Sequence, residues 1–313
     1  MITSLAANHP EFPMRFQGLA ALALLATTAN AAEAAPKVVV SIKPIHSLVA
    51  SVMQGVGEPM LIVDGAGSPH DYSLKPSQAA ALQAADLVFW MGPELETFLA
   101  GPIKTIAASA SAEKLDTAPG LVKLKPRSGG LFEADDDGDS DVPVDPHLWL
   151  DPENAKAMAS DIATALAKAD PENSEHYADN LARLNERLDA LVDTTKRELQ
   201  PIADKPFIVF HDAYQYFDKR FGLNTIGAIT ISPETAPGAA RVAEIRDKIA
   251  TAGAVCVFSE PEFEPKIVQV VTEGTDAGTG VLDPLGAELA AGPDLYFELI
   301  SDMSKSLTAC LGS

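Results

Sequence analysis

The run Val38-Val39-Val40-Ser41-Ile42, followed closely by Ile45-His46-Ser47-Leu48-Val49-Ala50-Ser51-Val52, decides how the rest of the chain is read. Five residues with four β-branched side chains and no alternating polar face fit a strand buried on both sides. The stretch from Ile45 to Val56 reads as a helix packed back on it. The same alternation recurs downstream. Met60 to Val63 reads as a strand, and Pro76 to Ala85 as a helix with proline in its first turn. Leu87-Val88-Phe89-Trp90-Met91 is a third strand, followed by a helix from Glu94 to Ala100. Strands that alternate with helices predict a parallel sheet covered on both faces.

The composition then shifts. Lys123 to Val144 is polar and rich in Gly and Pro, and Glu133, Asp135, Asp136, Asp137, Asp139 and Asp141 crowd six carboxylates into nine residues, which reads as an acidic loop. Asp151-Pro152 is an N-cap followed by proline at the first helical position, opening a helix to Ala169. Asp170-Pro171 repeats the signal for a long helix from Glu172 to Leu199, along which Tyr177, Leu181, Leu184, Leu188 and Leu191 form one apolar stripe. Such a helix is about 28 residues and roughly 42 Å long, enough to run from one lobe to another. The stripe covers barely two heptads, too few to favour a coiled-coil dimer. The second half alternates again, with strands at 207–210, 224–231, 255–259 and 280–282 and helices at 214–221, 239–252, 264–275 and 294–311. The predicted fold class is α/β: two α/β lobes, each a mainly parallel sheet flanked by helices, bridged by one long helix. The expected layout is an N-terminal lobe over 36–169 that includes the acidic loop 123–144, a linking helix over 170–202, and a C-terminal lobe over 203–313. Ligands of open α/β sheets bind beyond the carboxyl ends of the strands, so two such lobes would face each other across a cleft.

The chain has 313 residues, 47% hydrophobic and 21% charged, with a formal net charge of −21. That acidity disfavours nucleic acid and anionic lipid as partners and tolerates cations. Phe16 to Ala31 is a short apolar run after Arg15 that ends in Ala29-Asn30-Ala31, the pattern of a secretory signal peptide over 1–31, with Met14 as a possible alternative start after an extension at 1–13. No cysteine near the cleavage site supports a lipid anchor. The two cysteines, Cys256 and Cys310, belong to no CxxC or Cys/His cluster, and in an exported chain such a pair is expected to be a disulfide.

Three of the six histidines share a context: His70 follows the second strand, His147 precedes the Asp151 helix and His211 ends a strand. Three neutral imidazoles suit Zn²⁺ and leave a fourth position for a carboxylate or water. Asp283 sits at an equivalent place after the last strand. His46, flanked by Ile45 and Ser47, reads as structural; His176 reads as exposed, and His9 precedes the signal. The sequence separations exclude any local metal motif, so the residues alone leave each histidine open to a hydrogen-bonding role in a loop.

The motifs around these residues carry more. Ser68-Pro69-His70-Asp71-Tyr72-Ser73-Leu74-Lys75-Pro76-Ser77, Asp145-Pro146-His147-Leu148-Trp149-Leu150-Asp151-Pro152, Phe210-His211-Asp212-Ala213-Tyr214 and Leu282-Asp283-Pro284-Leu285-Gly286 occur in that order, with Phe258-Ser259-Glu260-Pro261 as a further landmark. Together they resemble the cluster A-I solute-binding proteins of zinc and manganese ABC importers, over essentially all of Val38 to Leu311. The resemblance implies two lobes bridged by a long helix, with the metal held between them by His70, His147, His211 and Asp283. It implies a periplasmic, non-enzymatic protein that binds Zn²⁺ as a monomer and delivers it to an integral membrane permease driven by a cytoplasmic ATPase. Manganese members of the family typically carry glutamate at the position of His211, and nitrogen in its place favours zinc. A manganese-binding importer protein, a periplasmic zinc hydrolase and an adhesin are the competing readings. Two departures stand out: the segment between the first and second histidines is acidic instead of histidine-rich, and Pro69 stands where some relatives have glutamate, which shifts weight to Asp283 or water.

Overall fold

The computed structural model describes residues 1–5, 35–127, 144–230 and 233–313. The chain divides into two units, residues 1–34 and 35–313. Of the first, residues 1–5 are exposed and carry no regular secondary structure. The apolar run 16–31 on which the signal-peptide reading rests and the acidic stretch at 133–141 lie outside the described residues.

Among the described residues of 35–313 there are two four-stranded sheets. The first contains β1 (Val38–Ile42), β2 (Met60–Val63), β3 (Leu87–Trp90) and β4 (Ser111–Lys114) in the order β2-β1-β3-β4. The second contains β5 (Pro206–His211), β6 (Asn224–Thr230), β7 (Cys256–Ser259) and β8 (Gly278–Val281) in the matching order β6-β5-β7-β8. Every pairing in both is parallel. Each neighbour must therefore be reached by a crossover, which is why the helices intervene. They are α1 (Lys43–Val52), α2 (Pro76–Ala84), α3 (Thr97–Thr105), α4 (Pro152–Ala169), α5 (Ser174–Leu199), α6 (Gln215–Phe221), α7 (Ala239–Ala252), α8 (Lys266–Thr272) and α9 (Leu295–Leu311).

The central strand β1 is buried at all five positions, as a strand covered on both faces must be. At α4 the Asp151 carboxylate accepts the Glu153 N–H at 2.9 Å, and Pro152 takes the first position, where no N–H is needed. The 26 residues of α5 make it about 39 Å long, and α4, α1 and α9 pack along it. One strand was not anticipated. β4 reads Ser-Ala-Glu-Lys, an edge strand with β3 as its only partner, and its residues are exposed or half-buried. The helix expected from Glu94 starts later, at Thr97.

The two lobes share a core. One hydrophobic cluster runs from Val38, Ile42 and Phe89 in the first sheet through Trp149, Leu184 and Leu188 to Phe207, Phe258 and Met303 in the second. A smaller cluster, including Ile208, Ile229, Ile245 and Val257, fills the far face of the second sheet beneath α7 and α8. Polar contacts fasten the same seam. Lys43, almost wholly buried, donates to the carbonyl oxygens of Gly286, Ala287 and Leu289 at 3.0, 2.9 and 2.8 Å. Trp149 Nε1–H donates to Pro284 O at 2.8 Å, and the Tyr296 hydroxyl donates to Trp149 O at 2.6 Å. The Cys256–Cys310 disulfide ties β7 to the last turn of α9. Among the described residues no helix is long and apolar enough to cross a membrane.

Candidate metal centre

The three histidines singled out in the sequence come from three different elements and meet. His70 lies in the loop between β2 and α2, its N–H facing Ser68 Oγ at 3.3 Å. His147 opens the short turn Leu148–Leu150 that leads into α4. His211 is the last residue of β5, at the carboxyl end of the strand, where α/β sheets place their ligands. His147 Nε2 stands 3.3 Å from His70 Nε2 and 3.4 Å from His211 Nε2. One ligand atom from each ring lies within 4.8 Å of the others, and among the described residues this is the group of histidine, cysteine and acidic side chains close enough to hold a metal ion together.

What faces the other nitrogen of each ring explains the orientation. His147 Nδ1 is 2.8 Å from Asp145 Oδ1, and His211 Nδ1 is 2.6 Å from Glu260 Oε2. His70 Nδ1 has Glu234 Oε1 at 3.7 Å. At His147 and His211 the carboxylate hydrogen-bonded to Nδ1 keeps the proton there and turns the Nε2 lone pair inward. The lone pairs then converge on one point, an arrangement that repels itself until a cation lies between them. The partners are themselves held. Asp145 Oδ1 also accepts the His147 N–H at 3.0 Å, and its Oδ2 accepts from Gln215 Nε2 at 3.0 Å. Glu260 Oε1 accepts from the Tyr214 hydroxyl at 3.1 Å.

The proton affinities diverge accordingly. Burial, reinforced by the neighbouring His147 and His211, drives His70 down to about 2, so it stays neutral at any ordinary pH. Burial would lower His211 as well, but the Glu260 carboxylate, helped by Asp212 and Asp145, outweighs it and the net shift is upward. Burial raises Glu262 to about 9, and the Asp283 and Glu260 carboxylates add to the effect.

Ser68, Pro69, Trp149, Glu260, Glu262, Phe263, Pro284 and Leu285 complete the lining, around a void of about 10 Å³. An ion fits there; an organic substrate does not. Donors, burial and size all suit Zn²⁺.

Asp283 stands apart from the converging nitrogens. Its Oδ1 accepts the N–H groups of Leu285 and Gly286 at 2.9 and 2.7 Å, and its Oδ2 accepts that of Ala287 at 2.6 Å. The carboxylate caps the turn after β8, in which Gly286 adopts φ +72°. The group whose ligand atoms lie within 4.8 Å of one another is the three histidines, without Asp283. The sequence reading did not pick out Asp145, Glu234 or Glu262, and treated Glu260 only as a landmark. Glu260 follows β7 as His211 ends the adjacent β5, so their shared sheet edge was the available signal. His46 is structural as read, its Nε2 meeting Pro59 O at 3.0 Å, and His176 is exposed. His9 lies outside the described residues.

Comparison with known proteins finds relatives among zinc-uptake proteins. A family model described as the periplasmic zinc-uptake complex component A, ZnuA, matches residues 38–310. The high-affinity zinc uptake system protein ZnuA of Brucella abortus (strain 2308) is 52% identical over 304 residues, covering 88% of this chain and 91% of its own length. Among solved structures, a crystal structure of ZnuA superposes with a TM-score of 0.76 at 26% identity, covering 88% of this chain and 99% of that one. A zinc-bound ZnuA deletion mutant gives 0.74 at 29% identity, covering 88% and 98%.

Proposed function

From the chain's membership of the periplasmic zinc-uptake component A family we infer a shuttle: the protein takes up one Zn²⁺ at His70, His147 and His211 in the periplasm and hands it to the membrane permease of an ABC importer, whose cytoplasmic ATPase supplies the energy. The observation that carries the reading is the convergence of three Nε2 atoms, at 3.3 and 3.4 Å, each ring backed by a carboxylate. Zinc is the cargo of this protein and not a catalyst in it. A void of about 10 Å³ leaves a bound ion no room for a scissile substrate beside it, which argues against the hydrolase alternative. An all-nitrogen histidine set favours zinc over manganese, which prefers oxygen.

The test is elemental analysis of protein purified from the periplasm without chelator, followed by chelator-competition titration. One zinc per chain is expected, with affinity lost in His70→Ala, His147→Ala and His211→Ala. Manganese in place of zinc would move the protein to the manganese branch, and no metal at all would end the reading. Delivery is tested separately: deletion of the gene should slow growth in zinc-chelated medium, with rescue by added zinc.

A further inference from the structure

Three histidines leave a tetrahedral Zn²⁺ one ligand short, and the carboxylates around the void are not equally free to supply it. Asp145 is engaged by His147 and Gln215. Glu260 is engaged by His211 and Tyr214. Asp283 has both oxygens capped by backbone N–H groups. Glu262 differs from all of these. It lines the same void as the three histidines, yet both of its carboxyl oxygens are buried, neither meets a donor outside the acids, and the side chain it faces is the Asp283 carboxylate, another acceptor. Its charged neighbours are Asp283 and Glu260, both acids. A buried carboxyl without a donor costs free energy that packing alone does not return. Such groups persist where they serve a ligand, and a carboxyl beside converging imidazole lone pairs has an evident one.

We propose that Glu262 is the fourth ligand of the captured Zn²⁺, its carboxylate swinging from its place in the wall of the void onto the ion. The side chain sits in the loop between β7 and α8, which starts at the carboxyl end of the sheet just after the His211 partner Glu260. Three imidazoles from three segments then meet one oxygen from a fourth. Ligation by Glu262 offsets part of the double charge the ion brings into a buried site and leaves the Asp283 cap intact.

This inference rests on the zinc-capture reading, and the experiment separates the two. The full mature chain is titrated with Zn²⁺ against a chromophoric chelator as wild type, Glu262→Gln and His147→Ala, and the melting temperature of each metal-free form is recorded. Glu262→Gln is expected to lose about 10–100-fold or more in zinc affinity, with a metal-free melting temperature no lower than wild type, since the glutamine keeps the shape and removes an unsatisfied acid. A crystal structure of the zinc-loaded wild type should place a Glu262 oxygen about 2.0–2.2 Å from the ion. If Glu262→Gln binds zinc as wild type does while His147→Ala does not, the ligand assignment is overturned and capture stands. If zinc-loaded crystals show water or Asp283 in the fourth position, the assignment also fails. If wild type itself binds no zinc, both fall together.

Discussion

Glu260→Gln tests how much of the zinc affinity comes from a residue expected not to touch the ion. Glu260 is 2% exposed, with Oε2 2.6 Å from His211 Nδ1 and Oε1 3.1 Å from the Tyr214 hydroxyl. Glutamine fills the same space and can still accept the Nδ1–H bond through its amide oxygen. Its NH₂ group then takes the place of Oε1, facing the Tyr214 oxygen, which can accept, and the His211 backbone N–H, which cannot. What the substitution removes is the negative charge behind the imidazole. Losing an outer partner of this kind costs about 10–100-fold in metal affinity, or about 1.4–2.7 kcal/mol. The pH dependence adds a second readout. Zinc must displace the proton from His211, whose affinity for it Glu260 raises above that of an ordinary histidine. Wild-type affinity should therefore begin to fall while the pH is still above about 6.5. His70, held down at about 2, contributes nothing to that fall. Without the charge, His211 binds its proton less tightly and competition starts at lower pH. The deficit of the variant should thus be largest near pH 8 and shrink towards pH 6. Competition titrations at half-unit intervals measure both effects. A deficit that stays constant with pH, or an affinity within twofold of wild type throughout, would refute the argument that Glu260 acts through the charge on His211.

Three other outcomes follow from particular contacts. Replacing Cys256 and Cys310 by serine opens a loop with a sequence separation of 54, which should cost about 4 kcal/mol in denaturant unfolding while zinc affinity changes little, since neither sulfur lines the site. Asp283→Asn leaves one of the two capping oxygens and turns an NH₂ group towards the Ala287 N–H; metal-free stability should drop by about 1–3 kcal/mol, and a large loss of zinc affinity at unchanged stability would instead restore the ligand role. Glu96, fully buried, accepts from the N–H groups of Met91 and Gly92 through one oxygen, and burial raises its carboxyl to about 7. The folded chain then holds this proton more tightly than the unfolded one, so stability falls as pH rises from about 4.5 towards 7; in melting curves across that window, wild type should lose ground to Glu96→Gln, and parallel curves would count against it.

The fold was largely legible because its central strands are buried on both faces and leave an unmixed signal. Val38–Ile42, Leu87–Trp90 and Pro206–His211 read as largely apolar runs, and proline or Asp-Pro marked the starts of α2, α4 and the segment before α5. β4 escaped because an edge strand with one partner needs no apolar run, and Ser111–Lys114 has none. The seam between the lobes was illegible for a different reason. The stripe on α9 shows that it buries a face, but not that α1 and α5 are among its partners. That pairing is what carries one core through both lobes and lets Lys43, at the start of α1, fasten a loop that follows β8.

At the site, sequence position identified residues that stand at strand ends and could not assign what each atom does there. His70, His147 and His211 were singled out by their places at element ends, which left each open to a loop role, and the resemblance of the motifs around them decided for metal. Asp283 stands in an equivalent place, yet its oxygens meet three N–H groups of its own turn, a bond set by the conformation around Gly286. Its place at a strand end was readable from the sequence; the three N–H groups it accepts were not. The carboxylates behind the rings show the converse. Asp145 is two residues from His147, close enough to be guessed as its partner, but Glu260 reaches His211 from the neighbouring strand and Glu234 reaches His70 from a loop after β6. Those pairings depend on strand order, which a chain read residue by residue does not state. A metal site is set in two layers, and the outer layer is written in the topology.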